Sequence, residues 1–336
     1  MKIRSFKAAA AAAMVDSDYN PRKLAVIYTG VTMAAFAVLL ILDYVITRNI
    51  NAATGLAQLG NRAILSTVQS VLNFAVQLAL PFWTIGFFRA ALQMARTGNG
   101  CPNDLFAGFR RWGPVFRLDL LQGILYSIIG IVAFFIALPI ILFTFPFTPL
   151  AGPIMEIIEP IMEEATVTGQ LVIDDAITAQ LMPFVIFVYA IYGVVLAILV
   201  IPVFYRFRMA QFAIMDDAPG ALAALRTSNR ILRKKCFFLF RLDLSFWWFY
   251  AAQALIPVVC IAGVILSSFE VTPPISQEVL IFVPLAIGIV LELVLSWCCL
   301  SYVQATYAHC YDALKAAAPP APTPRPLPKF FPGAQQ

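Results

Sequence analysis

Six stretches of the chain are apolar for about the 20 residues needed to cross a bilayer. They fall at about 24–47, 64–88, 118–145, 182–205, 242–266 and 279–306, divided by polar connectors. The first is too long for a cleavable signal, and no small-residue cleavage site follows it. The pattern predicts an all-α fold, a polytopic transmembrane bundle of six spans. Residues 1–23 are read as an N-terminal segment, 24–315 as the membrane domain and 316–336 as a tail. The tail, rich in proline from Pro319 to Pro332, is expected to be extended and disordered.

Composition supports a bilayer environment. Of the 336 residues, 61% are hydrophobic and 12% charged, and mean hydropathy is +0.84. Soluble domains lie nearer half apolar and a quarter charged. The same figures exclude a disordered chain, a collagen and a disulfide-stapled secreted domain. Six cysteines lack metal spacing and read as free thiols.

The formal net charge of +5 says little, whereas its placement says much. Basic residues concentrate in alternate segments: the N-terminus, the second connector from Arg89 to Arg117, the fourth from Arg206 to Arg241, and the tail. The first connector has only Arg48 and Arg62, and the third and fifth have none. Twenty-one of the 23 basic residues thus share one side. The positive-inside rule puts that side, and both termini, in the cytoplasm. An odd number of spans would break the alternation. The third connector, 146–181, carries Glu156, Glu159, Glu163, Glu164, Asp174 and Asp175 and reads as an amphipathic lid on the outer face.

The basic connectors look like interfacial helices. In the fourth, Asp216, Asp217 and Pro219 suit a helix start. Leu222, Leu225, Leu232 and Cys236 are expected on one face, and Arg226, Arg230, Arg233 and Lys234 on another, with Lys235 beside them. In the second, Asn103 is the expected cap. Leu105, Phe106, Phe109 and Trp112 accompany Arg110 and Arg111, and Gly113-Pro114 is the expected stop. Each basic side chain near an anionic surface contributes about 1 kcal/mol. The expected partners are therefore membrane lipids, anionic at the cytoplasmic face. A second copy or another membrane protein is compatible with the sequence, and nucleic acid is not expected.

Phe116-Arg117-Leu118-Asp119-Leu120 recurs as Phe240-Arg241-Leu242-Asp243-Leu244, an offset of 124. Each copy follows a proline-bearing span ending in arginine and a basic stretch. Both copies run in the same direction, so a parallel repeat is expected.

The stretch Tyr205-Arg206-Phe207-Arg208-Met209-Ala210, with Asp216-Asp217-Ala218-Pro219, Ala221 to Leu225 and Leu242 to Phe246, resembles a family of bacterial multi-pass membrane proteins. That family is known only as a domain of unknown function, number nine-seven-five. The close from Tyr302 to Tyr311 is similar too. The acidic connector and the proline-rich tail depart from it. The resemblance implies a helical bundle in a bacterial cell membrane and no assigned activity, so it carries over no catalytic residue. A more distant similarity is to the membrane domain attached to some glycerophosphodiester phosphodiesterases, whose catalytic portion has no counterpart here.

Enzyme signatures are missing: no P-loop lysine, dinucleotide glycine pattern or nucleophile elbow, and a single histidine, His309. Neither a catalytic role nor a cofactor is expected. Polar groups at membrane depth are the better candidates. Glu292 lies near the middle of the last span, where an unpaired charge costs about 2–4 kcal/mol, so it must be protonated, paired or facing water. Gln69, Asn73 and Gln77 form a stripe on the second span, and Gln122, Gln253 and Gln304 add amides elsewhere. They serve as packing glue or as a polar conduit. Asp119 and Asp243 are expected to form two equivalent ion pairs, Arg89 with Asp119 and Arg206 or Arg208 with Asp243.

Two functions fit these features. The first is a non-enzymatic protein that organises or senses the bilayer. The alternative is a transporter of a small molecule, ion or lipid using Glu292 and the amides. A dry, packed bundle favours the first, and a continuous cavity touching Glu292 and Gln77 favours the second.

Overall fold

The computed structural model describes residues 2–17, 19–52, 56–149, 151–157, 159, 175–216, 218–268 and 277–319. Side chains are described for the same residues except 43, 47–52, 56–63, 175–180, 259–268 and 277–281. The proline-rich tail and most of the acidic connector lie outside this set. Among the described residues there are helices and no strands. In order they are α1 (Ile3–Val15), α2 (Pro21–Ala52), α3 (Leu56–Thr97), a 3-10 turn (Pro102–Phe106), α4 (Ala107–Arg110) and α5 (Trp112–Thr144). After the short helical stretch 151–157 come α6 (Asp175–Phe207), α7 (Ala210–Met215), α8 (Ala221–Leu232) and α9 (Cys236–Leu244). The chain closes with α10 (Trp247–Ser268), α11 (Gln277–Leu295), a π turn (Ser296–Leu300) and α12 (Ser301–Ala316).

Five helical stretches are long and apolar enough to cross a membrane: Pro21–Ile46, Ile64–Thr97, Trp112–Phe147, Leu181–Met215 and Phe282–Ala316. They mark the chain as a membrane protein. Large side chains such as Phe134, Phe135, Phe143, Ile186 and Ile198 point outward, a surface that lipid solvates and water does not. The stretch expected as a span at 242–266 is interrupted at Ser245-Phe246 and resumes as α10. Its side chains from 259 onward lie outside the described set.

Burial concentrates at the end of the bundle that carries the basic connectors. Phe87, Leu105, Leu118, Met209, Ile214, Leu232, Leu239, Phe246 and Tyr311 form one continuous core there. At its centre stands α12, in which Ser301, Val303, Ala305, Thr306, Tyr307, Ala308, Cys310, Tyr311 and Leu314 are all buried. The N-terminal segment is itself a helix. Its alanine run favours that form, and Phe6 and Ala10 bury one face, with Phe6 edge-on to Phe238 at 6.0 Å. Lys7 sits 4.0 Å over the Phe246 ring, and its Nζ donates to the Ser245 carbonyl at 2.9 Å.

Both basic connectors differ in detail from their expected form. The helix expected to start at Asp216 starts at Ala221, with Gly220 at its N-cap. It buries Ala221, Ala224, Ser228, Ile231 and Leu232 against the core and leaves Leu222 and Arg226 outside. Small residues at 221, 224 and 228 let it approach closely, Leu225 and Leu232 keep to the core side, and Leu222 does not. In the second connector, Cys101 rather than Asn103 is the cap, and its backbone N–H donates to Asp104 Oδ2 at 3.1 Å. Gly113-Pro114 does not stop a helix but opens α5, where a proline in the first turn forfeits no helical hydrogen bond.

After α3 the chain folds back along it. A Cβ placed on Gly86 would lie 1.9 Å from the Leu105 carbonyl oxygen, and one on Gly108 would lie 1.9 Å from that of Phe82. The two backbones touch where both glycines lack side chains. Replacing Gly108 with Ala should therefore force them apart and cost about 1–3 kcal/mol or more. Thermal unfolding in mild detergent would read this as a lowered Tm, and an unchanged Tm would contradict the close approach.

Candidate functional site

The expected ion pair of the second motif forms, with Arg208 as the partner. Arg208 is a permanent cation near the end of α6, and it needs a counter-charge wherever apolar helices surround it. Asp243 of α9 supplies it: Arg208 Nη1 donates to Asp243 Oδ2. Tyr205 OH donates to the same oxygen at 2.6 Å, and Tyr307 OH donates to Oδ1. Arg208 Nη2 donates to Tyr250 OH at 3.1 Å, and the hydroxyls of Tyr250 and Tyr307 lie 2.8 Å apart. The guanidinium carbon stands 4.4 Å from the Tyr307 ring centre. Four helices, α6, α9, α10 and α12, meet in this one network. Arg206 is not the partner; its side chain is exposed, and its carbonyl accepts from Ser228 Oγ at 2.9 Å.

The expected Arg89–Asp119 pair does not form. Arg89 reaches Asp104 Oδ1 at 3.7 Å and the Met215 carbonyl at 3.3 Å. The reason is the return of the chain along α3. It brings Leu105 level with Gly86 and Gly108 level with Phe82, so α5 starts further along α3 and Asp119 lies beside Gln77, Thr84 and Ile85. Asp104 takes the position that Asp119 was expected to hold. The two motif copies therefore have unlike surroundings.

Three cavities adjoin here, two of them at Arg208. One of about 290 Å³ is lined by Glu292 and Gln253, with Tyr28, Thr84 and several rings. A second of about 430 Å³ is lined by Asp119, Gln122, Tyr126 and Tyr307. Arg208, Gln304 and Phe88 line both. A third of about 450 Å³ is lined by Gln77 and Pro81, and shares Asp119, Gln122 and Gln211 with the second. No single cavity touches Glu292 and Gln77, but Thr84 lines both the cavity of Glu292 and that of Gln77. Gln69 and Asn73 line none of the three.

Glu292 is buried, and its Oε1 accepts from Gln253 Nε2 at 3.2 Å. The π turn sets what lies beyond it. Twelve residues of ideal helix would turn Gln304 about 120° away from Glu292. One extra residue in the turn takes up about 100° of that, and both side chains line the same cavity. The buried Gln304 Oε1 has no hydrogen-bond partner among the described residues.

Of the basic residues expected at lipid headgroups, Arg110, Arg226, Arg233 and Lys234 are exposed. Exposed Phe109, Trp112, Phe237 and Phe240 follow in the same segments. Lys235 is half-buried. Arg111 reaches the Ile214 carbonyl at 3.1 Å and so helps cap α7, while Arg230 has a buried Nε without a partner. Among the described residues no three His, Cys, Asp or Glu side chains gather to hold a metal.

The sequence missed a second ionic centre, Asp216. Arg96 donates to both its oxygens at 2.8 and 3.1 Å, Lys315 Nζ at 2.7 Å and Tyr311 OH at 3.1 Å. Arg96 also holds Asp312 at 2.5 Å. The only advance signal was an acid placed amid basic segments. Tyr250 and Tyr307 were equally silent, because tyrosine is ordinary in apolar helices. No family model, curated protein or solved structure matches the chain.

Burial pushes the Asp216 carboxyl up, but the hydrogen bonds and charges of Arg96 and Lys315 outweigh it and hold it at about 2, below the ordinary 3.8. A carboxyl lowered on folding stabilises the fold fully above its ordinary range, and that contribution is lost as pH falls through its folded value. Unfolding temperature should drop between these two values more steeply in the native protein than in Asp216→Asn. Parallel curves would contradict the network. Asp243→Asn removes the charge facing Arg208 and should cost about 3–5 kcal/mol. Asp119→Asn, which breaks no ion pair, should stay within about 0.5 kcal/mol. Unfolding curves of the two variants in one detergent give the comparison, and equal losses would contradict the asymmetry.

Proposed function

We propose that this protein is a non-enzymatic transporter, which carries a small molecule through a cell membrane by way of the cavities around Arg208. The observation that carries the reading is a group of three adjoining cavities that between them touch Glu292, Arg208, Asp119 and Gln77. A bundle that only shapes the bilayer has no use for such space, since apolar packing would serve it better. The network on Asp243 keeps Arg208 neutralised at the junction, so polar lining costs little stability there.

In this reading α10 is an additional crossing, the fifth in chain order, which brings the total to six; both termini are cytoplasmic, and the repeated Phe-Arg-Leu-Asp-Leu segments mark a parallel repeat whose halves have diverged. The membership in the bacterial family of unknown function belongs to the same proposal. A second role, contact with anionic lipid, is favoured by the exposed Arg110, Arg226, Arg233 and Lys234 with their neighbouring aromatic rings.

The test is water access. Cysteines are placed singly at Gln77, Gln122 and Gln304, in a background without the native thiols. All three should react with a membrane-impermeant thiol reagent in intact vesicles, while one at the outward-facing Phe135 should not. Glu292→Gln should also fail to restore a deletion strain. Protection of all three cavity positions would overturn the transport reading.

A further inference from the structure

Two acceptors in the smallest of the three cavities have bonding capacity to spare. Glu292 is 8% exposed, and among the described residues its one hydrogen bond is from the amide of Gln253 to one oxygen. No cation among the described residues pairs with it. Arg208 lines the same cavity, but its guanidinium is committed to Asp243 and Tyr250. The second acceptor is Gln304 Oε1, buried and unbonded. A buried carboxylate without a counter-charge and a buried amide oxygen without a donor each cost free energy. A ligand that is both a cation and an N–H donor relieves both.

The walls narrow the class further. Rings of Tyr28, Phe87, Phe88 and Phe249 surround the space, and aromatic faces attract organic cations. A calcium-like ion would bring two positive charges to a single carboxylate, with Arg208 already in the same wall. The volume of about 290 Å³ lies at the small end of ligand pockets. A carboxylate ligand would add a second negative charge beside Glu292, and a neutral one would leave Glu292 unpaired.

We propose, building on the transport reading, that this cavity binds a small primary or secondary ammonium ion, with Glu292 as counter-ion and Gln304 as hydrogen-bond acceptor. The ligand exchanges with a proton at Glu292. When the ammonium arrives, the O–H bond of the protonated carboxyl breaks, the proton passes to water, and the carboxylate keeps the electron pair and the ligand's charge. One carboxylate cannot hold a proton and a cation together, so occupancy by one excludes the other. The ionisable groups facing Glu292 are Tyr28 from α2, Arg208 from α6 and Tyr250 from α10, while α3 contributes only Thr84 among polar side chains and α12 contributes Gln304.

The experiment is calorimetric binding to the full-length protein in lipid nanodiscs. The probes are butylammonium and phenethylammonium, with butyrate, phenylacetate and neutral phenylethanol for comparison. At least one ammonium ion should bind, about tenfold or more tighter than any comparison compound, and more tightly as pH rises from acidic to neutral. Glu292→Gln should weaken it about tenfold or more and abolish the pH dependence. Gln304→Leu should weaken the primary ammonium more than its N-trimethylated analogue. Unfolding curves identify folded variants, and the pH dependence of the native protein stands even if one variant fails to fold. Failure of both ammonium ions to bind, or binding indifferent to Glu292, overturns the proposal. If an anion or the neutral alcohol binds instead and the cavity cysteines still label, only the ligand class falls and transport stands. If the cavity cysteines are also protected, both fall.

Discussion

A guanidinium cannot shed its charge, and Arg208 lies where apolar helices converge. That single constraint organises this end of the molecule. The charge must be matched, and a carboxylate so placed must itself receive enough hydrogen bonds to remain there. Asp243 matches it, while Tyr205 and Tyr307 complete the carboxylate and Tyr250 completes the guanidinium. These side chains come from four helices, so satisfying one cation fixes the relative positions of α6, α9, α10 and α12. The closing helix is buried along most of its length because it carries one of the required hydroxyls into the centre.

A second centre does for the outer layer what Arg208 does for the inner one. Asp216 joins the end of α3 through Arg96 to the end of α12 through Lys315. Between the two networks lies a dense apolar core, and beyond Arg208 lie the three cavities. Among the described residues, packing is dense at the basic end, with the three cavities beside it. This distribution suits a molecule whose inner polar groups handle a ligand while a rigid base holds the helices in register.

The legible part of the fold was what composition and period dictate. Five long apolar helices appear where runs of about 20 apolar residues were read, because a bilayer imposes that length on any helix that crosses it. Asp243 with Arg208 and the interior position of Glu292 were also legible, because a charge in an apolar run demands a partner or a cavity. Arg89 with Asp119 was not. Motif identity suggested equivalence, but the glycine contacts at Gly86 and Gly108 carry α5 further along α3 and hand Arg89 to Asp104. On α8 the expected apolar face holds for Leu225 and Leu232, and only Leu222 falls outside it. Leu222 is more apolar than Ala224, yet only the small side chain permits close approach.

By itself the sequence determined that this is a membrane protein, where five of its long apolar helices fall, and how unevenly its basic residues fall along the chain. These follow from local sums of transfer free energy, which need no knowledge of neighbours. Only the tertiary structure decided which acid meets which arginine, that a π turn brings Gln304 round to the cavity of Glu292, and that three cavities adjoin. Those outcomes depend on contacts of a few ångströms between segments up to some two hundred residues apart. Such contacts are set by backbone approach and helix rotation, and neither leaves a mark on local hydropathy.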